Sequence, residues 1–379
     1  MVGEVATERR DGAVLPVFNT RSRRPRLDPD PAFDDTELRR ARDEAAMGGW
    51  EAVRDLLARS GQDWALRTHR ISVLANATVG LEWARAWRAA EPHRPDALVV
   101  SAYAEAVRVH AMIVRRDPAA SDTAAVAAVT RGRAAAAASP DDPTPWIGLL
   151  TLAGVLDDGG VSMVRWSDLS FEAGARSWAW FQEAVARHPE SWHAHQRMRE
   201  AQAARLRAGS PRELLGLLDF TVAAAAHAAE HSPLLALPLY AHTELRQTAT
   251  PDLLDAPERD WLARRAEQDL ADAYRQWFHG PRRAHPAAPY DLNILAYQLV
   301  ECGRPSLAHP VFAALGPHAT AVPWTRSAEL SGANSGYDAF AAARAAAESA
   351  AAKAARGATG SDPFPAQSPH PPHRSHLPE

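Results

Sequence analysis

A single cysteine in 379 residues, Cys302, leaves this chain no intrachain disulfide and too few thiolates to cage a metal. A reducing, cytoplasmic setting is the expectation. Charge of one sign is also lacking: 42 basic and 46 acidic residues give a formal net charge of -4. No global field then draws nucleic acid or an anionic membrane, so neither is expected as a partner. Lysine is almost absent, and the basic residues are nearly all arginine. Near the N-terminus the longest apolar stretch, Ala13 to Phe18, is broken by Pro16 and too short for a signal core. No run is read as approaching the roughly 20 apolar residues of a membrane span, and a soluble, unexported protein is expected. The phosphate-cradling G-x-x-x-x-G-K-[ST], the dinucleotide G-x-G-x-x-G and the hydrolase G-x-S-x-G are all missing, so no cofactor is expected.

What is present is alanine, arginine and helical period. From Pro140 to His195 two junctions each stop a helix with proline and restart one with tryptophan: Pro140-Asp141-Asp142-Pro143-Thr144-Pro145-Trp146 and His188-Pro189-Glu190-Ser191-Trp192. Trp146, Leu149, Leu150 and Ala153 fall at i, i+3, i+4 and i+7, on one helical face. The same reading predicts helices from Trp50 to Arg59, Trp64 to Ala75, Leu81 to Ala90, Asp96 to about Arg115 and Thr123 to Ala138. The last is so rich in alanine that it is expected to bury little. Further helices are predicted from Trp192 to about Ala208, after Pro211, from Leu239 to Arg246, from Pro257 to Phe278 and from Asp338 to Arg356. The 12 tryptophans, Trp146 and Trp180 among them, are expected to supply the packing bulk that alanine cannot.

Pro95, Pro143, Pro189 and Pro233 recur at intervals of 48, 46 and 44 residues, each preceded by an aromatic or alanine eight residues earlier and an alanine five residues earlier. A register three residues earlier fits Pro92 and Pro140 almost as well. Between Tyr290 and Leu315, Leu295, Ala296, Gly303, Ala308 and Phe312 stand where the tetratricopeptide repeat puts its large residue, small residue, turn glycine, second small residue and aromatic. The chain resembles a degenerate form of that family, with intervals longer than its roughly 34-residue unit. Residues 37–317 are also similar to helical proteins of high-GC bacteria that carry such proline–tryptophan junctions, a resemblance that implies no activity. The fold class implied is all-α, an irregular tetratricopeptide-like α-solenoid of about fifteen helices in antiparallel pairs. Its parts are a disordered tail (1–33), a helical repeat domain (34–330) closed by the 290–315 unit, an Ala-rich helix (331–356) and a disordered Pro/His-rich tail (357–379). Residues 159–170 read as an insertion.

Repeats of this kind bind more often than they catalyse, and the resemblance implies a scaffold or adaptor for a protein or peptide partner. In the family the first helix of each unit lines a groove. Trp192, His195 and Arg199 on one helix, with Tyr240, His242 and Glu244 on the helix one unit later, are therefore the candidate groove residues. The two histidines would make binding respond to pH between about 5.5 and 7.5. The competing reading is a metal-dependent hydrolase. His227-Ala228-Ala229-Glu230-His231 matches H-x-x-E-H, in which one helical turn presents two imidazoles and a general-base carboxylate to zinc; Glu301, 70 residues after His231, stands near where a third ligand could come from. The basic cluster Arg21, Arg23, Arg24 and Arg26 reads as a solvated tail. So do His370, His373 and His376, which could hold a metal only weakly, and the short polyproline pattern Pro369-x-x-Pro372.

Overall fold

The computed structural model describes residues 27–77, 81–117, 122–157, 175–206, 211–248, 256–281, 284–356 and residue 364. The basic cluster at 21–26, the 159–170 insertion and the tail histidines lie outside them. Sixteen α-helices and no strand occur among the described residues: the protein is all-α. They are α1 (Thr36–Ala46), α2 (Glu51–Ser60), α3 (Trp64–Ala77), α4 (Glu82–Ala90), α5 (Pro95–Val114), α6 (Asp122–Ala138), α7 (Thr144–Asp157) and α8 (Ala175–Arg187). The chain continues through α9 (Trp192–Leu206), α10 (Pro211–Ala226), α11 (Leu237–Thr248), α12 (Ala256–Asp272), α13 (Ala288–Glu301), α14 (Pro305–Leu315), α15 (Trp324–Ser331) and α16 (Gly336–Arg356).

Local chemistry sets the helix starts. Asp35 accepts the Leu38 N–H at 2.9 Å and Asp63 that of Leu66 at 3.0 Å, so each satisfies a donor that a first turn leaves open. The proline junction before α7 does more than cap. Asp142 accepts the Thr144 N–H at 2.8 Å and also pairs with Arg67 Nε at 2.9 Å, while Arg67 reaches Asp96 at 2.7 Å. One buried guanidinium thereby ties α3, the first turn of α5 and the α6–α7 turn together. Burial disfavours the charged guanidinium, but the two aspartates outweigh that and hold its pKa above the ordinary value.

The helices α5, α7, α9, α11 and α13 each pack on the next, with α6, α8 and α10 laid against successive pairs of them. Contacts also run beyond sequence neighbours. Helix α3 touches α9, and Asp28 exchanges backbone hydrogen bonds with Pro317 and Ala319, at 2.8 and 3.2 Å. Phe33 is buried against His69, Tyr290 and His318. Order therefore begins inside the segment expected to be a disordered tail: residues 27–33 form a strap because Asp28, Asp30 and Phe33 all find partners. Arg39 and Arg42 on α1 hold the two aspartates.

Other expectations need correction. Helix α6 buries Ala125, Ala128, Val129, Ala135 and Ala136, because small side chains bring helices together rather than filling space. A Cβ on Gly132 would stand 2.6 Å from Leu149 of α7. Helix α16 is no appendage: Phe340 packs edge-on to Phe312 and Trp324. Helix α15, carrying Trp324, was not anticipated, and the 290–315 unit does not close the fold. Phe364, in the segment expected to be disordered, is buried. Helix α5 is long and apolar enough to cross a membrane by length and composition, contrary to the sequence reading; here it is packed against α3, α4, α6 and α7. In the tetratricopeptide-like segment Leu295, Ala296, Ala308 and Phe312 are core, and Gly303 turns the chain at φ +69°, a conformation glycine adopts without strain.

The tryptophans divide. Trp83, Trp87, Trp277 and Trp324 are fully enclosed and Trp180 nearly so, whereas Trp146 is half-buried beneath the Arg187 guanidinium, 5.6 Å from its ring centroid. Trp146 is thus a lesser anchor than its position in the sequence implied. Trp87 stacks on Trp50 at 6.0 Å and donates Nε1–H to Glu91 at 2.9 Å. Trp87→Ala is expected to cost about 3–5 kcal/mol in urea unfolding. Trp261→Ala, at a ring 37 % exposed, is expected to cost about 1 kcal/mol or less, and equal losses would refute this division.

Candidate functional site

Four of the six candidate groove residues meet. Trp192 and Arg199 are seven residues apart on α9, two turns and about 20° out of register, so they share a face. Tyr240 and Glu244 share a face of α11 at i, i+4. The Arg199 guanidinium lies over the Tyr240 ring, 5.3 Å from its centroid, and donates to Glu244 at 3.0 Å and to Gln196 Oε1 at 2.8 Å. Tyr240 OH and Trp192 Nε1 both donate to one oxygen of Asp291, at 2.7 and 2.9 Å. Its other oxygen lies 2.9 Å from His285 Nε2.

Asp291 is wholly enclosed, at 0 % exposure, in the first turn of α13, where the helix dipole favours an anion. Nothing in the sequence marked it beyond an acidic residue two positions after a helix-starting proline, because its partners come from α9, α11 and the turn before α13. Tyr290 beside it stacks on Trp192, with centroids 6.0 Å apart. Burial first, and the Asp291 charge second, push the Tyr240 phenol well above its ordinary pKa, so it remains a hydrogen-bond donor.

At the outer end the carboxylates are accessible. Glu244 is 36 % and Glu200 44 % exposed; Glu200 accepts from Arg197 at 2.7 Å and lies 3.6 Å from Arg199. Crowding by protein would raise the Glu200 pKa, but Arg197 and Arg199 overcome this and hold it below the ordinary carboxylate range. The patch thus runs from an enclosed anion, through two aromatic rings, to two solvent-facing carboxylates braced by arginines.

The two histidines do not belong to it. His195 is buried against Phe181 and Phe220, with Nδ1 2.8 Å from the Ser191 carbonyl oxygen. Burial lowers its pKa. His242 stands two residues from Tyr240, about 200° around α11. There it meets Asp269 of α12 at 2.8 Å, which Arg265 also holds at 2.7 Å. Both histidines are interhelix packing groups, and a shared titrating pair on an accessible face is not formed.

The H-x-x-E-H reading also loses its geometry. Helix α10 ends at Ala226, so His227 to His231 is a turn, with His231 at φ +63°. His227 Nδ1 lies 2.8 Å from the Ala223 carbonyl oxygen, His231 Nδ1 2.6 Å from that of Gln276, and Glu230 is 84 % exposed. Among the described residues no group of three or more His, Cys, Asp or Glu is placed to hold a metal ion. The chain leaves the helical ladder here: the Ala229 N–H donates to Glu190 instead, at 2.7 Å, and Ser232 caps the short 3₁₀ turn that follows, at 3.3 Å.

No family model, curated protein or solved structure matches this chain. Its chemistry is read from its own side chains. Asp291 has no room for a substrate, since Trp192, Tyr240 and His285 occupy both its oxygens. The accessible groups are the Glu200 and Glu244 carboxylates, with Trp192 and Tyr240 partly exposed beside them.

Beneath the patch lies a second, enclosed pair. His69 and His193 have ring centroids 5.6 Å apart, and Phe33 of the strap stacks on His69 at 6.0 Å. Neither His69 nitrogen completes a hydrogen bond, although the Pro31 backbone lies close enough to favour the protonated ring slightly. Burial lowers the His69 pKa to about 4 from 6.5, and that of His193 well below 6.5. A folded pKa below the unfolded one means that the unfolded chain takes the proton first. Stability is therefore complete above pH 6.5 and falls as pH drops from 6.5 towards 4. From pH 7.5 to pH 5 His69 alone should remove about 2 kcal/mol. In His69→Phe, which keeps the stack on Phe33, urea unfolding should show an acid slope smaller by that amount. An unchanged slope would show His69 to be solvated.

Proposed function

We propose that this protein is a binding scaffold that holds a polypeptide segment against the face made by α9, α11 and the start of α13. The observation that carries the reading is the continuity of that face. Trp192, Arg199, Tyr240 and Glu244 are joined through Asp291 and cation–π contact into one pre-set surface whose outer rim exposes Glu200 and Glu244. A surface already held by its own hydrogen bonds loses little side-chain entropy on binding, which favours affinity. Exposed carboxylates beside aromatic rings suit a lysine or arginine of the ligand. The tetratricopeptide-like pattern of α13 and α14 and the solenoid-like succession of α5, α7, α9, α11 and α13 support a role in recognition. The near-neutral charge supports a peptide over a nucleic acid, and the single cysteine a reducing, cytoplasmic setting.

Panning a random peptide library on the purified chain tests this. The enriched peptides should share a basic residue. Their affinity should fall about tenfold or more, ~1.4 kcal/mol or above, for the Glu200→Gln/Glu244→Gln double variant with unchanged circular dichroism. Absence of enrichment, or equal affinity for the double variant, would overturn the reading.

A further inference from the structure

Away from that face, Phe364 fills a slot between the π-helical turn Ala273–Phe278, which continues α12, and the start of α14. Its ring is 3 % exposed. The Arg304 guanidinium lies over the ring, 4.2 Å from its centroid, and that of Arg275 at 5.3 Å. The Tyr274 ring closes the slot at 5.8 Å. Arg275 also donates to the Phe364 carbonyl oxygen. Arg304 pairs with Glu267 of α12 across the same opening. Side chain and main chain of one residue are thus both recognised, which is how grooves read an extended peptide.

Phe364 stands in the sequence between Pro363 and Pro365, seven intervening residues after Arg356, the last of α16. Proline fixes its own φ, and a residue before proline is driven to extended backbone, so little conformational freedom remains to be lost on docking. Tethering at so short a range sets an effective concentration on the order of mM, enough to keep a weak intrinsic site filled from within. The ring joins the apolar cluster that includes Leu270, Tyr274 and Phe278, and two cations lie over it.

We infer that the Arg275–Arg304–Tyr274 slot is a peptide-docking site for an aromatic residue in an extended, proline-flanked segment, and that Phe364 occupies it in cis as a latch. A second peptide of that chemistry enters only by displacing the latch. The slot is separate from the face proposed above, and neither reading depends on the other.

A fluorescein-labelled peptide of residues 361–368, Ser-Asp-Pro-Phe-Pro-Ala-Gln-Ser, tests this by anisotropy against the full chain. The Phe364→Ala chain, its slot vacated, should bind the peptide about tenfold or more tighter than the unaltered chain does. Adding Arg304→Ala or, separately, Arg275→Ala to the Phe364→Ala chain should abolish binding while the circular dichroism stays that of the parent. A peptide with alanine in place of phenylalanine should not bind. Equal affinity for the Phe364→Ala and unaltered chains, no binding to Phe364→Ala up to about 1 mM, or binding that survives both arginine substitutions would each overturn the latch.

Discussion

A carboxylate with no exposure to water has to be compensated within the protein, and Asp291 imposes that demand on this fold. Its three donors come from α9, α11 and the turn before α13, so these elements can take up only mutual positions that keep all three bonds. Gln298 repeats the constraint two turns further along α13, reaching the Leu239 carbonyl at 3.1 Å and Thr243 at 2.7 Å on α11. Such networks are costly to half-satisfy, and this one fixes the orientation of Trp192 and Tyr240 before any ligand arrives.

Around this centre the chain builds a core from small residues. Gly132 admits Leu149, Gly148 lies against Tyr103, and Gly154 faces Ala201 and Ala204. Each is a place where one helix backbone nears the next. Close approach multiplies dispersion contacts that an alanine side chain alone could not supply. The large aromatics gather in clusters of their own, as where Phe312, Trp324 and Phe340 interlock between α14, α15 and α16.

Period and punctuation made most helices legible, because proline, glycine and capping aspartates act locally. The shared face of Trp192 and Arg199, and that of Tyr240 and Glu244, was legible for the same reason: spacing of four or seven is a property of one helix. Asp291 and His285 were not, since their significance arises only when three elements meet. His242 was misplaced because two residues on a helix are nearly opposite, and repeat resemblance alone does not set the rotation. His227 and His231 looked like one helical turn because the alanines before them favour helix; the Glu190 side chain, distant in sequence, takes the Ala229 N–H out of that ladder. Phe33 and Phe364 stood in polar, proline-rich surroundings, and only their distant partners reveal them as buried.

The strap has a consequence for the birth of the protein. Asp34 meets His318 across 284 residues of chain, at 3.1 Å. A ribosome adding about 5–20 residues per second takes roughly 15–60 s to deliver the second partner after the first. Throughout that interval Phe33 has His69 within reach but neither Tyr290 nor His318. Residues 27–34 thus emerge well before the partners that fix them, and the nascent chain carries an open seam until residues 290–319 have been made.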